Sequence, residues 1–64
     1  MVVNGKPFPH RAGLTLHALL AELAVDQRAV VVMHGDDVHR AGRIPDRPLG
    51  EGDVIEIVTM MQGG

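Results

Sequence analysis

The hydrophobic positions of this chain change period along its length, and each change marks a different element. Val2 and Val3 form a short apolar run that stops at Asn4-Gly5, the dipeptide best suited to the positive φ angles of a type I′ turn. Residues 6–10 return beside it, so the chain opens with a β-hairpin. Pro7 and Pro9 lack the N–H that a ladder needs on both sides, which places the second strand at a sheet edge. From Thr15 the period becomes helical: Leu16, Leu19, Leu20 and Leu23 fall at i, i+3, i+4 and i+7 and line one stripe. Thr15 is the natural N-cap, and Ala18, Ala21 and Ala24 favour a helix of about three turns.

Beyond the helix the pattern turns to strands. Residues 29–33, Ala-Val-Val-Val-Met, form a continuous apolar run that predicts a strand buried on more than one side. Gly35-Asp36-Asp37 supplies a turn before Val38-His39-Arg40, giving a second hairpin. Residues 41–48 are broken by Gly42, Pro45 and Pro48 and read as a connecting loop with a short helical turn, anchored to the core by Ile44 and Leu49. After the turn Gly50-Glu51-Gly52-Asp53, residues 54–59 alternate strictly. Ile55 and Ile57 share one face, and Val54, Glu56 and Val58 the other. The order is β-β-α-β-β-β: an α+β fold with a mixed sheet of four to five strands, one main helix crossing one face, and the last strand central. The leucine stripe is expected on the isoleucine face. The open apolar positions Val54 and Val58 then mark a partner face, or a strand face covered by loops.

Composition narrows what such a fold can do. At 64 residues there is room for one small core, here residues 1–59, followed by a short tail at 60–64. The chain has no Ser and no Cys, and its only side-chain hydroxyls are Thr15 and Thr59, which argues against ordinary nucleophilic catalysis by a side chain. Eight acidic residues against six basic ones, with no Lys/Arg cluster and no Trp or Tyr, argue against nucleic acid as a partner. No apolar run approaches membrane-spanning length and no basic-then-apolar leader opens the chain, which leaves a soluble cytoplasmic protein and no membrane partner. His10, His17, His34 and His39 show no recognised metal-ligand spacing, so no metal site is expected. Asp36, Asp37, Asp46, Glu51 and Asp53 all lie among turn signals, where Asp bonds local backbone.

What remains is the ending Met60-Met61-Gln62-Gly63-Gly64. Five extended residues reach roughly 17 Å, enough to enter a buried site on another protein. Two glycines without Cβ atoms let a chain pass a narrow cleft and adopt backbone angles closed to other residues. Methionines reshape to irregular surfaces, which suits Met60 and Met61 to partner contact.

The element order, the Asn4-Gly5 turn, Leu16 and Leu19-Leu20 in the helix, Arg47-Pro48-Leu49, Gly52-Asp53, the strand Val54-Ile55-Glu56-Ile57-Val58 and the closing Gly63-Gly64 together resemble the ubiquitin-like β-grasp sulfur carriers. Among these the chain is similar to the ThiS family of the thiamine pathway. It departs in having His34-Gly35 where such carriers usually have Asn-Gly. The resemblance implies that the chain is no enzyme and binds no cofactor of its own. A partner adenylyltransferase of the ThiF type would use ATP and magnesium to adenylate the Gly64 carboxylate. A sulfur donor such as a cysteine desulfurase system would then yield a thiocarboxylate, and a ThiG-type thiazole synthase would accept the sulfur. Gly63, Gln62, Met61 and Met60 would be the residues recognised along the tail. The same tail would also serve a molybdopterin-synthase small subunit, a tRNA-thiolation carrier or a ubiquitin-like protein modifier, and a β-grasp interaction module with an inert tail would share the body alone.

Overall fold

A computed structural model of the chain describes residues 1–59. The strands are β1 (Val2–Val3), β2 (Lys6–Pro7), β3 (Val30–His34), β4 (Asp37–His39) and β5 (Val54–Thr59), with helix α1 (Leu16–Glu22) between the two hairpins. They form one sheet in the order β2-β1-β5-β3-β4. The last strand lies in the middle, parallel to β1 and antiparallel to β3. This is the ubiquitin-like β-grasp arrangement, and each piece has a local cause.

In the first hairpin Asn4 and Gly5 both take positive φ, 53° and 78°, so the two-residue turn is the type I′ that the dipeptide favours. Pro7 lies on the outermost strand, where a missing donor costs nothing. The second hairpin closes between His34 and Asp37, and Gly35 takes φ 61° at the first turn position. That makes it a glycine-led two-residue turn of the II′ kind.

The first turn of α1 has every backbone donor satisfied from outside or by its cap. Leu16 N–H donates to Arg47 O at 2.8 Å, His17 N–H to Asp46 Oδ1 at 3.1 Å, and Ala18 N–H to the Thr15 hydroxyl at 3.2 Å. Two of these acceptors come from the proline-broken loop, so that loop is fixed against the helix start rather than loosely connecting. Ile44 and Leu49 anchor it in the core, and an isolated bridge joins Pro48 to Thr15. The loop contains no helix: a turn at Arg40–Arg43, closed by Arg43 N–H to Arg40 O, takes the place of the expected helical turn.

The helix is shorter than its leucine spacing predicts, with seven residues in place of about three turns. Ala24 takes φ 57°, and the bonds Ala24 N–H to Ala21 O and Val25 N–H to Leu20 O close a Schellman ending. Leu23 is therefore the C-cap and stands 36% exposed, while Leu16, Leu19 and Leu20 are fully buried. Val25 turns back onto the core instead.

The core is the layer between α1 and one sheet face: Leu16, Leu19 and Leu20 with Val3, Val30, Val32 and Ile55, closed at the rim by Leu14, Ile44 and Leu49. Burying such side chains contributes about 1.5–3 kcal/mol each. On β3 only Val30 and Val32 are buried, whereas Val31 and Met33 are half-covered. The unbroken valine run is thus one closed face and one open face, because a single helix covers only one side of the sheet.

Candidate functional site

The tail residues singled out from the sequence, Met60, Met61, Gln62, Gly63 and Gly64, lie outside the described residues. The structure does describe the strand that leads to them and the face beside it. Cross-strand pairing fixes that face: Val54 lies opposite Val2, Glu56 opposite Met33, and Val58 opposite Val31, while Met33 is in turn opposite Val38. Val38, Val54 and Val58 are 62%, 51% and 47% exposed, so this side of the sheet presents an apolar surface to solvent. Both sequence-picked face residues, Val54 and Val58, belong to it. Apolar side chains gathered on one open face are the usual footprint of protein association.

Two polar contacts hold β5 in its register. The Asp53 bond to the turn is the local kind its position suggests, whereas the links to His34 and from Asn4 to Ile57 are long-range and leave no local signal. At its start the Asp53 carboxylate accepts the Gly50 N–H and the His34 Nε2–H, both at 2.8 Å and both on Oδ2. The Gly50 bond first, and then His34, hold the Asp53 carboxyl below the ordinary aspartate value. A Cβ on Gly50 would lie 3.3 Å from Asp53 Oδ1, so the turn glycine gives the carboxylate its place. Midway along, β1 has ended, and the Asn4 side chain takes over: its Oδ1 accepts the Ile57 N–H at 2.7 Å. Asn4 thus forms the turn and also extends the ladder by one bond. Beyond that point β5 is flanked by β3 alone, through the pair Val30 and Thr59.

The histidines are not gathered. His10 Nε2–H donates to Leu49 O at 2.8 Å, and His17 Nε2–H to Ile44 O at 2.6 Å, each tying a rim loop to the body. His34 is bound to Asp53, and His39 Nε2 is buried with no hydrogen-bond partner among the described residues. Among the described residues no three His, Asp or Glu side chains converge as metal ligands. Asp46 is held below the ordinary aspartate value by the Thr15 hydroxyl and by the His17 N–H at the helix start. Asp37 pairs with Arg47 at 3.1 Å, and Arg11 pairs with Glu22 on the helix. These charges brace loops, and the open sheet face carries none of them.

No described helix is long and apolar enough to cross a membrane. What the described residues offer is an exposed apolar sheet face, carried in part by β5, the last described strand.

The similarities to known proteins run over the whole length of the chain. The model of the ThiS family matches residues 1–64. The chain is 42% identical over 62 residues to the "Sulfur carrier protein ThiS" of Thermus thermophilus, covering 97% of this chain and 95% of that protein. It is also 34% identical over 64 residues to a "Thiazole synthase" of Paramagnetospirillum magneticum, where the whole of this chain corresponds to 20% of a longer protein. A full-length family match and a near-full-length relative, on a β-grasp body, establish the assignment: the chain belongs to the ThiS family.

Proposed function

We propose that this protein is the sulfur carrier for thiazole formation in thiamine biosynthesis and that Gly64 is its reacting residue. The observation that carries the reading is the match of the carrier family over the whole chain, through Gly63-Gly64. The chemistry explains why a body with so few nucleophiles suffices. A carboxylate is a poor acyl donor because it is anionic and lacks a leaving group. Attack of the Gly64 carboxylate on the α-phosphorus of ATP, held with magnesium by a ThiF-type adenylyltransferase, releases pyrophosphate and leaves an acyl-adenylate. A persulfide from a cysteine desulfurase system then displaces AMP to give an acyl disulfide, and a thiol reduces that bond, leaving the thiocarboxylate and a disulfide. The carrier contributes no catalytic group to these steps and is the substrate of both partners.

The acceptor in this reading is a ThiG-type thiazole synthase. Its support is the thiazole synthase of Paramagnetospirillum magneticum that contains a stretch similar to this whole chain. Gly63, Gln62, Met61 and Met60 enter the partner sites, and the apolar sheet face with Val54 and Val58 docks outside them. The reactions take place in the cytoplasm, with ATP drawn from the common pool.

Intact-mass analysis of the chain made alongside its adenylyltransferase and desulfurase tests the proposal. An oxygen-to-sulfur mass shift localised to Gly64 is expected, and a chain lacking Gly63 and Gly64 should show none and fail to support thiazole formation. An unchanged mass with a sulfur-replete pathway, or full function after the truncation, rules the reading out.

A further inference from the structure

Glu56 is the one charged side chain among the strand residues of the open face, and it lies within the apolar surface. Met33 is directly opposite on β3, and Val54 and Val58 stand two residues to either side on β5. The ion pairs of the described residues are Arg11–Glu22, His17–Asp46, Arg28–Asp26, His34–Asp53 and Arg47–Asp37, and Glu56 is in none of them. In the free protein its carboxylate is exposed and hydrated. An apolar surface laid over Val54 and Val58 removes that water, and a desolvated carboxylate without a counter-charge is strongly unfavourable.

We infer that Glu56 selects the docking partner by its charge: the thiazole synthase presents an arginine or lysine to Glu56, framed by apolar side chains that meet Val54 and Val58. The inference rests on the proposed sulfur transfer to that synthase. The choice of occupant follows from two observations. A carboxylate inside an apolar frame fits a cation inside an apolar frame and rejects a purely apolar one. A stretch similar to this entire chain is also built into a thiazole synthase, so a body of this kind and that enzyme work within one polypeptide there. Arginine suits the role best, because its planar guanidinium can take both carboxylate oxygens.

Calorimetric titration of the full chain into a thiazole synthase, at low and high salt, tests the inference with three variants: Glu56→Gln, Glu56→Leu and Glu56→Lys. Thermal melts of each variant confirm that the body is folded. Glu56→Gln should weaken binding about thirtyfold and Glu56→Lys more than about a hundredfold, since the cation on the synthase is left buried without its partner. Glu56→Leu is the discriminating variant. If the face were simply apolar, leucine would bind as well as glutamate or better; with a cation opposite, it binds at least about tenfold more weakly and its salt dependence flattens. Binding by all three within about twofold of the wild type, or tighter binding by Glu56→Leu, overturns the role of Glu56 and leaves the carrier reading standing. A wild-type chain that does not bind the synthase at all overturns the choice of acceptor, and this inference with it.

Discussion

β5 carries two sets of aliphatic side chains of nearly the same size and chemistry, and the two do opposite work. Ile55 is fully buried and Ile57 half-buried against the helix, whereas Val54 and Val58, their neighbours in sequence, stand about half exposed on the other side. Nothing intrinsic to isoleucine or valine makes the difference. A single helix covers one face, and the strand's period of two distributes alternate residues to it. The closed face is where folding energy is concentrated, and the open face is free for the docking role proposed above. A substitution's effect should therefore depend on its parity along β5 more than on its chemistry.

The largest effect should come from Ile55→Ala. Deleting a fully buried side chain from a small core costs about 2–5 kcal/mol, a large share of the stability a domain of this size commands. Val54→Ala, one residue away, should cost no more than about 0.5 kcal/mol. Urea unfolding followed by far-ultraviolet circular dichroism checks both. Comparable losses at the two positions would break the contrast between the faces.

Parity holds only if the register holds, because a one-residue slip would exchange the two faces. The Asp53 clamp to Gly50 N–H and His34 guards against that at the start of β5. Asp53→Ala should cost about 1–2 kcal/mol, from two hydrogen bonds lost to one carboxylate. The pH dependence follows from the direction of the shift. The folded protein holds the Asp53 carboxyl below its ordinary value, so the unfolded chain binds the proton more tightly. The contribution is whole above the ordinary aspartate value and is lost as pH falls through the lowered folded value. Stability measured from neutral to acid should thus fall more steeply in the wild type than in Asp53→Ala. Parallel curves would show that the clamp is not what fixes the register.

The end of the covering helix can also be improved. Ala24 holds a left-handed φ of 57° to end the helix, a conformation that costs an L-residue about 1–2 kcal/mol and glycine little. Ala24→Gly should raise stability by about 0.5–1 kcal/mol after glycine's greater loss of freedom on folding is counted. A rise in the thermal midpoint checks it.

These positions also show what could be read from sequence. The Asn4-Gly5 turn, the Thr15 cap, the leucines at positions 16, 19 and 20, and the alternation in β5 are signals a few residues long, and each fixes its own geometry. The failures are contacts between distant segments. Ala24 reads as a helix former, and only the return of Val25 to the core explains why the helix stops there. Val31 and Met33 read as buried because a β-branched run cannot reveal how many faces will be covered. His34 and Asp53 are nineteen residues apart, and Asn4 and Ile57 fifty-three, so neither pairing leaves a pattern to find. Residues 60–64 are the reverse case, since their proposed role comes from the family resemblance carried by the closing Gly63-Gly64 and the element order, and rests on no described contact with the body.

The smallest effect on folding, and the sharpest separation of the two faces, should come from the double variant Val54→Thr, Val58→Thr. Threonine keeps the β-branched shape that suits a strand and changes one methyl group to a hydroxyl. On an exposed face water satisfies that hydroxyl, so stability should move by no more than about 0.5 kcal/mol. Under a docked partner the same hydroxyls lose their water and leave apolar neighbours poorly matched. Binding to the thiazole synthase should then weaken at least about tenfold. The pair of measurements answers a question that neither answers alone. A loss of stability would mean the face is already covered within the folded chain, and unchanged binding would place the docking surface elsewhere. Intact folding with weakened docking is the result that identifies the open face as the one the protein uses.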